Sequence, residues 1–108
     1  MRHLIEAHIA FVDDFVNCID TYPDSDLTKF ATSDDLCCLG KWIYENQSNY
    51  HLHDDFRKLK DAHYVFHEYA TRALHLVSDG SRKHARYIVD TDMREISKII
   101  VGLLEKLQ

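Results

Sequence analysis

The chain has 108 residues, of which 45% are hydrophobic and 29% are charged, and its formal net charge is −5 with histidine counted as neutral. This length fits one domain and the apolar fraction excludes a disordered chain, while the acidic balance argues against a nucleic-acid partner, which requires a basic face. Three Gly and one Pro are too few for the many tight turns of a β-sandwich or barrel, so we expect long helices.

The first predicted helix runs from about Leu4 to Cys18 or Asp20. Its apolar residues recur at the spacing of one helical face, and His8 falls within that stripe rather than opposite it. Pro23 and the polar residues after it are predicted to end the helix and to open a connection.

The second predicted helix is short. Residues 27–34 are ambiguous, and Ser33 or Asp34 is the candidate N-cap. The helix carries the apolar residues Leu36, Cys37, Leu39, Trp42 and Ile43. Gly40 within it indicates the close approach of another backbone, and the run Asn46–Asn49 is predicted to be a loop.

Two further long helices follow, from about His53 or Asp54 to Val77 and from about Arg82 to Leu107. Apolar residues and two histidines share one face of the third helix: Phe56, Leu59, His63, Phe66, His67, Ala70, Leu74 and Val77. Those predicted on one face of the fourth are Ala85, Ile88, Val89, Ile96, Ile99, Ile100, Leu103, Leu104 and Leu107. Gly80 between the helices suits a left-handed turn position. Three long helices and one short Cys-bearing helix predict an all-α fold, an antiparallel four-helix bundle.

The cysteine and histidine content indicates the compartment and a metal. Three cysteines, of which Cys37 and Cys38 are adjacent, make a poor disulfide framework and are typical of a reducing compartment. The sequence contains neither a signal peptide nor the roughly 20 apolar residues that span a bilayer. We therefore expect a cytoplasmic protein with no membrane insertion, whose eight His and three Cys suit a metal ion.

Three histidines lie on predicted core faces. His63 and His67 are four residues apart on one face, so both can reach one metal ion, although a pair of hydrogen-bonded core histidines has this spacing too. His8, on another helix, could meet them in the core of a bundle. A tetrahedral site then needs a fourth ligand, and either Cys37 or Cys38 is available. Three His and one Cys favour Zn²⁺.

These residues also carry a family resemblance. The run from Cys37 to Trp42 resembles the C-x-[LF]-G-x-W signature of the bacterial chemoreceptor zinc-binding (CZB) domain. His8-Ile-Ala-Phe11 resembles the H-x-x-W element of its first helix, with Phe in place of Trp, and the run from His63 to His67 resembles its H-x-x-x-H element. The tail Ala85…Ser97…Leu103-Leu104 resembles its last helix. The resemblance covers nearly the whole chain, so we expect residues 1–108 to form a single CZB-like zinc-binding domain.

The resemblance implies a zinc ion held by four side chains: His8, Cys37, His63 and His67. Cys37 is implied rather than Cys38 because the Cys of the family stands two residues before the Leu-Gly pair. It also implies that Cys37 is the redox-sensitive ligand and that Gly40 and Trp42 position the helix that carries it.

The resemblance further implies a regulatory sensor module of bacterial signalling, in chemotaxis receptors or in cyclic-di-GMP control. The expected input is zinc availability, or an oxidant such as hypochlorous acid that acts on the zinc-bound Cys37 thiolate. The expected partners are a second copy in a homodimer and a signalling output domain or protein, of the chemoreceptor or diguanylate cyclase type.

Other functions remain as alternatives. The first is a structural module, in which zinc staples a dimerisation or docking domain that senses nothing. An enzyme is not expected, because four ligands fill a tetrahedral site and Glu68, a conceivable base, points about 100° away from His67 on an ideal helix. A di-iron bundle needs carboxylates on the core faces beside His63 and His67, and the sequence places none there.

Overall fold

The structure, a computed structural model, describes residues 2–20, 31–35 and 37–107. Every regular element in these ranges is helical: α1 (Arg2–Asp20), α2 (Cys38–Tyr50), α3 (Asp54–Ser78), α4 (Arg82–Ile88), a π-helical segment (Val89–Met93) and α5 (Arg94–Leu107). The last three follow one another without a break and act as the fourth helix. The all-α prediction is confirmed for the described part of the chain, and the antiparallel order stays a prediction. Pro23, residues 27–30 and Leu36 lie outside the described residues.

α3 is the central helix of the bundle and contacts every other helical element. It contacts α4, the π-helical segment and α5 along one side, while α1 packs on α2 and α5. The largest fully buried apolar side chains come from every helical element except α4: Phe15, Ile19, Ile43, Phe56, Phe66, Leu59, Val89, Met93, Ile100 and Leu104. His8 of α1 and two histidines of α3 are buried among them. None of the described helices is both long and apolar enough to cross a lipid bilayer.

The start and the end of α2 differ from the prediction. Cys37, in an extended conformation (φ −78°, ψ 164°), is the N-cap in place of Ser33 or Asp34, and its Sγ accepts the Gly40 N–H at 3.3 Å. A thiol is not among the usual cap side chains, so preference alone does not find it. The predicted loop Asn46–Asn49 is wrong, because these residues continue α2. Asn46 donates its side-chain amide back to the Trp42 carbonyl (2.9 Å), and the other three face solvent.

The turn after α3 has the predicted geometry. Gly80 adopts φ +84°, which confirms the left-handed position expected from the sequence. Its N–H donates to the Val77 carbonyl at 3.0 Å, and the N–H of Asp79 donates to the His75 carbonyl at 3.0 Å. These bonds satisfy carbonyl groups that the end of a helix leaves without an intrahelical partner. The connection from α3 to α4 therefore needs only three residues.

The fourth helix contains a π-helical segment that the sequence pattern does not reveal. Within it the Thr91 hydroxyl donates to the Tyr87 carbonyl at 2.7 Å, and such back-bonding competes with the regular helical ladder. Met93 is fully buried here, although it was absent from the predicted stripe. Ile99 was predicted on the buried face and is 51% exposed. It precedes the buried Ile100 by one position, or about 100° around the helix, which places it at the edge of the stripe.

Candidate metal centre

Three of the predicted ligands converge between α2 and α3. The Cys37 Sγ lies 3.1 Å from the His63 Nε2 and 3.5 Å from the His67 Nε2, and the two Nε2 atoms are 3.0 Å apart. Both histidines project from the buried face of α3, one helical turn apart, and Cys37 reaches them from the cap of α2. These three residues form a group whose ligand atoms lie close enough together to hold one metal ion.

The protonation state of His67 follows from its backbone partner. Its Nδ1 lies 2.7 Å from the Ala31 carbonyl oxygen, which can only accept a hydrogen bond. Nδ1 therefore carries the proton in the neutral imidazole, and Nε2 presents its lone pair to His63 and Cys37. Metal-binding histidines are commonly held by such a bond from the other ring nitrogen. A backbone carbonyl has no sequence signature, so Ala31 could not be identified from the sequence.

The chemistry of this group fits zinc. Tetrahedral bonds of about 2.3 Å to sulfur and about 2.0–2.1 Å to nitrogen place S and N about 3.6 Å apart and two N atoms about 3.3 Å apart. The separations among Cys37, His63 and His67 are close to these values or shorter by a few tenths of an ångström. One thiolate and imidazole nitrogens are also the ligands that zinc prefers over hard cations such as Mg²⁺.

Burial keeps the histidines in the form that binds a metal. Desolvation, followed by the like charge of neighbouring histidines, lowers the pKa of His63 to about 3 and that of His8 to about 4. Burial also lowers the pKa of His67, against the opposing effect of the Ala31 hydrogen bond. All three imidazoles are neutral at pH 7 as a result, and their lone pairs are available without the loss of a proton.

The Cys37 thiol is held at the start of α2. Burial raises its pKa, and the backbone N–H groups of Gly40 and Leu39 oppose that rise because they stabilise the thiolate. The exposed Cys38 lies outside the group formed by Cys37, His63 and His67. Of the two cysteines that the spacing left open, the structure thus directs Cys37 toward the histidines.

Gly40 lies against the backbone that leads into α2. A Cβ built on it would lie 1.8 Å from the Asp34 carbonyl oxygen and 2.8 Å from the Asp34 carbonyl carbon. The segment is tied to α2 a second time, since the Tyr44 hydroxyl donates to the Asp34 carboxylate at 3.1 Å. Only a residue without a side chain allows this contact, which in turn sets where the Gly40 N–H meets Cys37.

Trp42 packs against aromatic residues at the end of α2 and the start of α3. Its ring lies 5.9 Å from the rings of both Tyr50 and Phe56, and Tyr50 stacks on Phe56 at 5.7 Å. This aromatic cluster packs α2 onto the start of α3. Trp42 therefore fixes the body of the helix whose first turn bears Cys37.

His8 lies beside the group but not within it. Its Nε2 lies 2.8 Å from the Ser97 hydroxyl of α5, and its ring meets the Phe66 ring edge to face at 4.9 Å. His8 nevertheless lines the same cavity of about 310 Å³ as Cys37, His63 and His67. The structure brings three of the four predicted ligands within bonding reach of one ion and places the fourth at the wall of their cavity.

The comparisons with known proteins identify the family. The family model of the chemoreceptor zinc-binding domain (CZB) matches residues 8–74, from His8 through most of α3, and so includes Cys37, His63 and His67. Comparisons with curated proteins and with solved structures give no significant match. The matched segment spans more than half of the chain and contains the group described above. The chain belongs to the chemoreceptor zinc-binding domain family.

Proposed function

We propose that this chain is a regulatory zinc-binding module, with one Zn²⁺ held by Cys37, His63, His67 and His8. The observation that carries the proposal is the convergence of the Cys37 Sγ with the Nε2 atoms of His63 and His67 at separations of 3.0–3.5 Å. Bound zinc would keep Cys37 as a thiolate, which its burial otherwise disfavours.

The proposed input is zinc availability or an oxidant. Cys37 is half-buried and lines a cavity that also reaches the exposed Cys38, so a small oxidant has access to its sulfur. The thiolate would give an electron pair to hypochlorous acid, with a sulfenic acid and chloride as products. Sulfenic acid is a poor metal ligand, and the loss of Cys37 would leave only imidazoles at the site.

The proposed output is a movement of α2. Its first turn is held by Cys37 and by the Asp34 contact with Gly40, and its body by the Trp42 cluster with Phe56. Release of Cys37 removes one of these restraints. Membership of a chemoreceptor domain family supports an output to a chemotaxis receptor or a diguanylate cyclase, and we extend the proposal to a cytoplasmic homodimer.

Oxidant titration tests the proposal. Purified protein should contain one zinc per chain by elemental analysis, and stepwise hypochlorous acid should release that zinc in step with modification of Cys37, detected by peptide mass spectrometry. The Cys38→Ser protein is the matched control and should release zinc at the same oxidant ratio. Protein that binds no zinc, or that keeps its zinc after Cys37 is oxidised, would rule the proposal out.

The same titration separates a sensor from a structural staple. Most fully buried apolar residues, such as Phe15, Leu59 and Ile100, belong to a core that extends through all the helices, so we expect the zinc-free chain to remain folded. The helical circular dichroism signal should therefore survive zinc release. Cooperative unfolding on release would instead favour the structural module, as in small domains that fold only with their metal.

A further inference from the structure

A hydrogen bond joins the first and last helices at the metal centre. The His8 Nε2 of α1 and the Ser97 Oγ of α5 lie 2.8 Å apart, although 89 positions separate them in the chain. His8 is only 5% exposed, and the edge-to-face contact with Phe66 holds a second side of its ring. The imidazole is thus restrained at one nitrogen and along one face.

The other ring nitrogen of His8, Nδ1, takes no part in the hydrogen bond to Ser97. The bond to Ser97 accounts for Nε2 alone, and within the described part of the chain no buried side-chain nitrogen or oxygen lacks a hydrogen-bond partner. Among the described residues the His8 Nδ1 makes no hydrogen bond, and it is not fully buried. His8 lines the cavity that it shares with Cys37, His63 and His67.

We infer that Ser97 is the positioning residue for the fourth zinc ligand: its hydroxyl accepts the Nε2–H of His8 and thereby leaves Nδ1 of His8 as the metal-binding nitrogen. The inference rests on the proposed function, because it concerns how that zinc site is completed. A neutral imidazole has one N–H and one lone pair, so when Nδ1 gives its lone pair to the metal, Nε2 carries the proton and can donate it to the Ser97 hydroxyl.

According to this inference, His8 and His67 bind the same zinc ion through different ring nitrogens. At His67 the Ala31 carbonyl fixes the proton on Nδ1 and leaves Nε2 for the metal. At His8 the Ser97 hydroxyl contacts Nε2 and can accept its proton, so a metal bound at Nδ1 would leave the proton on Nε2. Long-range ¹H–¹⁵N NMR spectra of the zinc-loaded protein distinguish the two nitrogens of each ring. We expect His8 to be metal-bound through Nδ1 and His67 through Nε2, and a metal-bound Nε2 of His8 would overturn the inference.

Substitution of Ser97 provides the second measurement. Ser97→Ala should lower the zinc affinity about 10-fold, the lower end of the effect seen when a ligand's hydrogen-bond partner is lost. Ser97→Thr keeps the hydroxyl and should restore the affinity, while Lys98→Ala, at the next and exposed position, should not change it. Competition with a chromophoric chelator measures all three. An affinity that is unchanged or higher in Ser97→Ala would contradict the inference.

A double-mutant cycle shows whether Ser97 acts through His8. In a His8→Ala background the additional change Ser97→Ala should have no further effect on zinc affinity, because the imidazole that it positions is gone. An equal loss in both backgrounds would mean that Ser97 acts elsewhere, and the inference would fail while the proposed function stands. If the wild-type protein binds no zinc, both the inference about Ser97 and the proposed function are wrong.

Discussion

Replacing Cys37 with Ser is expected to reduce bound zinc from one ion per chain to almost none, whereas Cys38→Ser should leave the zinc content unchanged. The Cys37 Sγ is the only sulfur in the described cluster with His63 and His67, so its loss removes the one thiolate. Loss of a ligand's hydrogen-bond partner alone costs about 10–100-fold in affinity, and loss of the thiolate itself should exceed about 100-fold. Elemental analysis and chelator competition on the two variants measure the difference.

The Cys38→Ser variant makes this experiment specific. Cys38 is adjacent in the chain and exposed, so both substitutions change one sulfur to oxygen at the start of α2. A general effect on helix α2 would lower zinc binding in both variants. A zinc content in Cys37→Ser equal to that of the wild type would show that the cysteine facing His63 and His67 is not a ligand, and the assignment of the site would then be wrong.

Gly40→Ala is expected to have the largest effect on stability among the glycine substitutions. The new Cβ would overlap the Asp34 carbonyl, with 1.8 Å to its oxygen, and a backbone group cannot turn aside as a flexible side chain can. The start of α2 must then move away from Asp34 and carry Cys37 with it. We expect a loss of about 3 kcal/mol in the free energy of unfolding, at the upper end of overpacking effects, together with weaker zinc binding.

Gly102→Ala is the matched control for this substitution. Gly102 lies inside α5, and apart from its chain neighbours and the backbone of its own helix no described atom comes within 4 Å of the position of its Cβ. Ala is more favourable than Gly in a helix by about 0.5–1 kcal/mol, so this variant should be slightly more stable. Urea unfolding midpoints of the two zinc-free proteins should therefore move in opposite directions. A Gly40→Ala midpoint equal to that of the wild type would contradict the close contact with Asp34.

The sequence pattern was sufficient for the features that repeat along the chain. Apolar spacing predicted α1 and α3 within two residues at each described end and placed His8, His63 and His67 on buried faces. The glycine at position 80 predicted the turn after α3, because a positive φ strongly favours glycine. Helical periodicity and the Gly80 turn depend on residues that are close together in the chain, so they can be predicted from the sequence alone.

Features that depend on contacts between distant segments could not be predicted. The Ala31 carbonyl that orients His67 is a backbone atom, and every residue has one. The Cys37 cap of α2 replaces the usual oxygen cap by a sulfur that also faces His63. Ser97 stood out only as part of a family-like last helix, and its role depends on a bond to His8 across 89 positions.

One thiolate and three imidazoles are proposed to hold a single zinc ion, and X-ray absorption at the zinc K edge tests this coordination most directly. We expect one sulfur scatterer at about 2.3 Å, from Cys37, and three nitrogen scatterers at about 2.0–2.1 Å, from His8, His63 and His67. The Cys38→Ser protein should give the same spectrum. A spectrum with two sulfur scatterers, or with none, would contradict the account.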